Sequence, residues 1–139
     1  MKGASAIVYD VLLIVILSLL TLAVLVSAPK TASTIFQILT KTHADRVAND
    51  LAGSIAGLYT SPFDTKVKYC FPKEENYFVE IENRNLNVTI YKGGEKCEKN
   101  VCKGHSQLPI SLDKITFFSL DLPSACVLIE KIGSKVILS

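Results

Sequence analysis

The sequence predicts an α+β fold, in which a long N-terminal helix packs on a small antiparallel β-sheet domain. Three observations predict this fold. Residues 11–28 carry no charged side chain, residues 31–59 return to the apolar spacing of an amphipathic helix, and the chain changes from residue 66 onward to short alternating segments. A chain of 139 residues has room for one anchor and one small domain.

The first predicted element is an apolar helix over residues 4–30, whose only acidic residue is Asp10. At ~1.5 Å per residue this stretch is long enough to cross a hydrocarbon core of ~30 Å. A cleaved secretory signal fits less well, because the apolar run is long and Pro29 follows the small residues at its end. We therefore expect this helix to lie in a membrane, or in an environment that replaces one.

The second predicted element is an amphipathic helix over residues 31–60. Its apolar face is predicted from two rows of residues at helical spacing, namely Val47, Leu51, Ile55 and Leu58, and beside them Ala44, Ala48, Ala52 and Ala56. Pro29 predicts a bend or a break between the two helical halves, because proline removes a backbone hydrogen bond. The sequence Thr60-Ser61-Pro62 predicts the end of the helix.

Short strands are predicted for the remainder, residues 61–139. The strand candidates are residues 66–71, 77–82, 86–91, 115–120, 125–132 and 135–138. The turn-forming residues 83–85 predict a hairpin between the second and third candidates, with Gly93-Gly94 ending the third, and Gly133-Ser134 predicts a turn between the last two. Residues 92–106 are polar and rich in lysine, and we expect an exposed loop there. Together the strands predict one antiparallel sheet packed on the helix.

Four cysteines, Cys70, Cys97, Cys102 and Cys126, predict two disulfides in an oxidising compartment. Three connectivities are possible. Cys97 and Cys102 share one loop and could close a small ring, which would leave Cys70 to join Cys126. Free thiols are one alternative, and a zinc site using Cys97, Cys102, Cys126 and His105 is another, although its spacing matches no common zinc motif.

A net charge of +2, with scattered basic residues, gives no indication of nucleic-acid binding. Because the sequence contains no nucleophile elbow, phosphate-binding loop or metal-ligand motif, we expect neither an enzyme nor a cofactor. Asn87-Val88-Thr89 is a glycosylation sequon, which predicts a glycan on Asn87. The cysteines and the sequon favour a cytoplasmic N-terminus and a domain outside the cell.

The N-terminus carries a more specific motif. Lys2, Gly3, Ser5, Ala6 and Tyr9 stand in front of and at the start of the apolar helix. This arrangement resembles the class III signal peptide of archaeal type IV pilin-like proteins. Two positions depart from that pattern: Ala4 replaces a frequent glutamine, and Val8 replaces a frequent glutamate, with Asp10 as the nearest acid.

The resemblance implies that a prepilin peptidase cuts between Gly3 and Ala4, so that residues 1–3 form a leader and the apolar helix is retained. It further implies a subunit of a surface filament, made by copies of this chain that pack through their helices with the help of a pilus assembly machinery. The helix would lie in the cell membrane before assembly. The core contacts are then expected from Ala4, Tyr9, Asp10, Leu13, Leu20 and Val24, and the β domain would be exposed for adhesion or surface contact.

A second interpretation is a permanently membrane-anchored domain that binds a partner outside the cell. In that case the N-terminal residues would be retained, and the motif around Gly3 would have no role in processing. The state of the N-terminus separates these two interpretations.

Overall fold

The computed structural model describes residues 2–92, 95–97 and 100–139, and describes their side chains except those of residues 2–6, 92, 95 and 96. The chain forms two compact units, Met1–Gln37 and Ile38–Ser139. Helix α1 (Lys2–Thr60) provides the first unit and the beginning of the second, and six strands follow it. The predicted α+β fold is confirmed. The predicted strand end at residues 93–94 lies outside the described residues.

Helix α1 is continuous through Pro29. A break at this proline, one of the two outcomes expected from the sequence, is therefore not observed, because the loss of one backbone donor leaves the neighbouring helical hydrogen bonds in place. The helix ends at Thr60, as Thr60-Ser61-Pro62 predicted. At this end the ammonium group of Lys131 donates hydrogen bonds to the carbonyl oxygens of Tyr59, at 3.0 Å, and Ser61.

The second half of α1 packs through the predicted apolar face. Its buried residues are Ala44, Val47, Ala48, Leu51, Ala52, Ile55 and Leu58, and Ala56 is half-buried. These positions repeat every three to four residues, so they form one stripe along the helix. They join the apolar residues of the strands in a single core.

The strands form two three-stranded antiparallel sheets in the described residues, where the sequence predicted one. The first sheet has the order β1 (Lys66–Cys70), β5 (Cys126–Ile132), β6 (Lys135–Leu138), and the second has the order β3 (Glu95–Lys96), β2 (Asn76–Lys92), β4 (Lys103–Phe118). The predicted turn at Gly133-Ser134 joins β5 and β6, and Gly133 has a φ of +61°.

The predicted hairpin around residues 83–85 is wrong. Residues 76–92 form one continuous strand, β2. This strand pairs along most of its length with β4, which is distant in sequence. Asn83 has a φ of 57°, the left-handed conformation that also suits a turn. Here it lies at a register shift between β2 and β4, so it produces a β-bulge rather than a chain reversal.

The predicted exposed loop over residues 92–106 is also wrong in part. Residues 95–96 form β3, Asn100–Cys102 form a 3₁₀ turn, and β4 already begins at Lys103. Strand β4 then continues through Pro109, which lies in a stretch of extra residues opposite the Asn83 bulge. Proline is tolerated at such irregular edge positions because no ladder hydrogen bond is needed there.

Gly104 is the point at which β4 meets helix α1. A Cβ atom at this position would overlap the backbone carbonyl group of Ala44. Polar contacts flank the crossing: the Asp45 carboxylate accepts a hydrogen bond from the His105 backbone N–H at 3.2 Å, and Lys41 donates to the Lys103 carbonyl at 2.6 Å. Only glycine allows the two backbones to approach so closely.

Aromatic side chains fill one end of the core. Phe71 stacks on Tyr77 with ring centroids 5.5 Å apart, and Tyr69 meets the edge of Phe71 at 5.1 Å. The Tyr77 hydroxyl shares a hydrogen bond of 2.7 Å with Nε2 of His43. Burial, with a smaller contribution from Asp50, raises the pKa of Tyr69 to about 12. Burial and the nearby glutamates also raise the pKa of Tyr77.

All four cysteines lie in the described residues and form two disulfides, Cys70–Cys126 and Cys97–Cys102. The first joins directly opposed residues of β1 and β5 across a sequence separation of 56. The second closes the small ring before β4. These pairings leave no thiolate for the zinc alternative.

Candidate functional site

The first unit of the chain exposes an apolar helix surface on every side. The large apolar residues between Ile7 and Val26 are exposed by 43 to 66%. They occupy consecutive positions, such as the run from Val11 to Leu17, and therefore point in all directions around the axis. A helix that is apolar all round is stable only where lipid or other protein surrounds it. We call residues 7–26 the apolar helix segment.

Four of the six predicted core-contact residues share one side of this segment. At ~100° per residue, Tyr9, Leu13, Leu20 and Val24 lie within an arc of about 60°. All four are exposed, and Leu13 is the least exposed at 43%. Asp10 is also exposed and lies about 40° beyond Val24 around the helix axis, at the margin of this row.

Several serine and threonine hydroxyl groups on this part of α1 donate hydrogen bonds to the backbone of their own helix. These hydrogen bonds go to the backbone carbonyl four residues earlier: Ser18 to Ile14, Thr21 to Leu17, Ser27 to Ala23, Thr31 to Ser27 and Thr34 to Lys30, at 2.7 to 3.1 Å. Such internal bonds lower the cost of placing a hydroxyl in an apolar surrounding. The helix surface is therefore compatible with lipid and with tight packing against another helix.

Asp10 and Lys30 mark the two ends of the uncharged stretch. They are 20 residues apart, which corresponds to ~30 Å along a helix and matches the hydrocarbon thickness of a bilayer. The described residues contain one helix that is long and apolar enough to cross a membrane, and it includes this stretch. The helix thus indicates membrane association.

Exposed apolar residues also occur beyond Lys30. Ile35 and Phe36 follow it in the first unit and are 53% and 59% exposed. Ile38 and Leu39, at the start of the second unit, are about as exposed. These residues form a second exposed apolar group, because residues 27–34, between Val26 and Ile35, include no large apolar side chain. Phe36 lies six residues beyond Lys30, which places it ~9 Å past the end of the uncharged stretch that matches a bilayer core.

The other predicted site residues are Gly3 and Ala4, at the start of α1, and Asn87, on β2. Gly3 and Ala4 belong to the first turn of α1, but their side chains, like Met1 of the predicted leader, lie outside the described residues. Asn87 is exposed on β2, and its side-chain oxygen shares a hydrogen bond of 2.8 Å with Nδ1 of His105.

The contact of Gly104 with Ala44, which anchors the strand to the helix, was not predicted from the sequence. No local pattern identifies it, because Gly104 stands in a polar segment with no apolar alternation around it. Only the pairing of β4 with β2 brings this glycine against the helix.

No protein-family profile matches the chain, and searches of curated proteins and of solved structures found no significant match. A long N-terminal apolar helix followed by a small antiparallel β domain is compatible with a pilin-like protein and with a membrane-anchored protein.

Proposed function

We propose that this protein is a structural subunit of an archaeal type IV pilus-like surface filament. Copies of the chain would assemble through the apolar helix segment and its continuation to Leu39, and the β domain would face outward for adhesion or surface contact. The partners are other copies of the chain, a prepilin peptidase that cuts between Gly3 and Ala4, and the assembly machinery in the membrane.

The observation that carries this proposal is the second group of exposed apolar residues, beyond Lys30. A hydrocarbon core of ~30 Å covers the distance from Asp10 to Lys30 and does not reach Ile35 and Phe36. In a permanently anchored monomer, Ile35 and Phe36 would lie outside the hydrocarbon core, together with Ile38 and Leu39. Exposed apolar patches of this kind mark protein interaction sites. Neighbouring helices of the same kind would cover the excess.

Assembly would then be an exchange of apolar surroundings. The helix leaves lipid, which shelters its side chains, and enters a bundle of helices that does the same. Since lipid and leucine side chains are about equally apolar, close packing and satisfied polar groups decide the outcome. The hydroxyl groups of Ser18 and Thr21 need no new partner during this transfer, because they already donate to backbone carbonyl groups of their own helix.

Asn87 would carry a glycan, because its amide nitrogen has no described protein partner.

The second candidate is a permanently anchored domain that binds a partner outside the cell. The spacing of Asp10 and Lys30 favours it, because the two charges would lie at the two surfaces of a bilayer. The same spacing also suits a pilin before assembly. The exposed apolar residues beyond Lys30 therefore distinguish the filament subunit from the anchored domain, whereas the spacing of Asp10 and Lys30 does not.

The test uses the full chain isolated from its own cells, and measures intact mass and filament formation by electron microscopy. A mass lacking residues 1–3, together with filaments, supports the proposal. The double variant Ile35→Ser/Phe36→Ser should still insert into membranes but should lose assembly, whereas the exposed polar control Asn49→Ser should assemble like the wild type. A full-length mass with no filaments would reject the pilus function.

A further inference from the structure

Asp10 and Lys30 are the two charged side chains between residues 7 and 40. Both are exposed, and neither forms an ion pair or a hydrogen bond through its side chain in the described part of the chain. In water or at a membrane surface an unpaired charge costs little, because water solvates it. Inside a bundle of apolar helices each charge would need a partner, because burying an unpaired ion is very costly.

The two residues cannot pair within one copy. Both lie on the same continuous helix, 20 residues apart, so that ~30 Å of helix separates them. The side chains of aspartate and lysine together cover only a fraction of this distance. The pair can form only between two copies.

The angular positions of the two charges favour such a contact. At ~100° per residue, Lys30 lies about 200° around the axis from Asp10, on nearly the opposite side of the helix. Copies that repeat in one direction contact each other through different surfaces, one side of the first copy meeting the other side of the second, and such contacts build open filaments. A carboxylate on one side and an ammonium group on the other side are complementary in this arrangement.

We propose that in the assembled filament Asp10 of one copy forms an ion pair with Lys30 of a neighbouring parallel copy that is displaced by ~30 Å along the helix axis. This inference rests on the proposed filament function and adds the residues that set the axial register between neighbours. In the membrane the two charges lie at opposite bilayer surfaces. In the filament the same spacing makes each copy complementary to the next.

The direct test is carbodiimide coupling, which joins a carboxylate to an amine only where the two are in contact. Protein isolated from its own cells is coupled as assembled filaments and as single copies in detergent, and the linked peptides are identified by mass spectrometry. We expect an Asp10–Lys30 link between copies in filaments and none in detergent. Lys30→Arg is the matched control, since it preserves the ion pair but cannot form the amide; it should assemble normally and lose the link.

Substitutions test the same ion pair without chemical cross-linking. Asp10→Ala and Lys30→Ala should each reduce the assembled fraction by at least about ten-fold, because each leaves one buried charge unpaired. The double variant Asp10→Ala/Lys30→Ala and the exchange Asp10→Lys/Lys30→Asp should both assemble better than either single variant. Such non-additivity is the signature of two side chains in contact.

The outcomes separate this inference from the proposed function. Filaments that form normally but link Asp10 to the α-amino group of a processed chain, or to no amine, overturn the register and leave the filament function intact. Single variants that assemble like the wild type overturn it as well. If the wild-type chain forms no filaments under any condition, the proposed function itself fails.

Discussion

Replacing Gly104 with alanine is expected to destabilise the β domain strongly. The new Cβ would overlap the carbonyl carbon and oxygen of Ala44, which belong to the backbone of helix α1 and cannot rotate away. The helix and β4 would have to separate, which would also stretch the hydrogen bond from the His105 backbone to Asp45. Overpacking costs ~1–3 kcal/mol, and because both sides are regular backbone we expect about 3 kcal/mol.

Gly53→Ala provides the matched control, with the same chemical change and the opposite sign. Gly53 lies on the exposed side of α1, and a Cβ there would have nothing within 4 Å. A glycine inside a helix costs ~1 kcal/mol relative to alanine, so this variant should gain about that amount. The two variants should therefore differ by ~4 kcal/mol in the free energy of unfolding.

The assay is urea and thermal unfolding of the full-length chain in detergent, followed by near-ultraviolet circular dichroism of the domain's tyrosines. A difference of this size corresponds to more than 15 °C in melting temperature, at ~4 °C or more per kcal/mol for a domain of about 100 residues. If Gly104→Ala unfolds within ~0.5 kcal/mol of the wild type, the range of ordinary surface changes, the close contact with Ala44 is refuted.

Three further predictions concern the same domain. The folded state raises the pKa of Tyr69 to about 12 from its ordinary 10, so it holds this proton more tightly than the unfolded state does. The free energy of unfolding should therefore be unaffected by this group below pH 10 and should fall between pH 10 and 12. In Tyr69→Phe the slope of this fall should be smaller by up to ~1.4 kcal/mol per pH unit. Lys131→Met removes the hydrogen bonds to the carbonyl groups of Tyr59, in the last turn of α1, and of Ser61, just after it. This change should cost ~1–2 kcal/mol in urea unfolding, whereas an unchanged midpoint would contradict this cap. Removing Cys70–Cys126 by a double alanine substitution should cost ~4 kcal/mol, and removing the shorter disulfide ~2 kcal/mol; equal losses by calorimetry would refute the loop-length argument.

The helical part of the fold could be predicted from the sequence because its signals are local. The buried positions of the second half, such as Val47, Leu51 and Ile55, repeat every three to four residues within one continuous element. The same holds for the alternation of Leu86, Val88 and Ile90, which the structure buries together on β2. Where the period of the apolar residues identifies an element, no knowledge of its partner is needed.

The pairing of the strands could not be predicted in the same way. Asn83 has the turn-forming character that a hairpin requires, yet the structure uses its left-handed backbone for a bulge. The difference is decided by β4, whose residue Leu112 lies opposite Asn83 although the two are far apart in sequence. The polar start of β4, including Gly104, predicts a loop when the sequence is taken alone, because its strand conformation depends on the same remote partner.

The apolar helix segment differs from the rest of the chain because its apolar side chains remain exposed in the folded chain. Each strand and the second half of α1 find partners within the chain, whereas residues 7–26 find none in the part that the structure describes. Lipid can cover these residues as well as a neighbouring helix can, so apolar burial alone does not select between an anchor and a filament. The selection must come from features that lipid cannot satisfy. Two are present: the apolar residues that continue past Lys30, and the charges that become costly when the bilayer surfaces are no longer there to hydrate them.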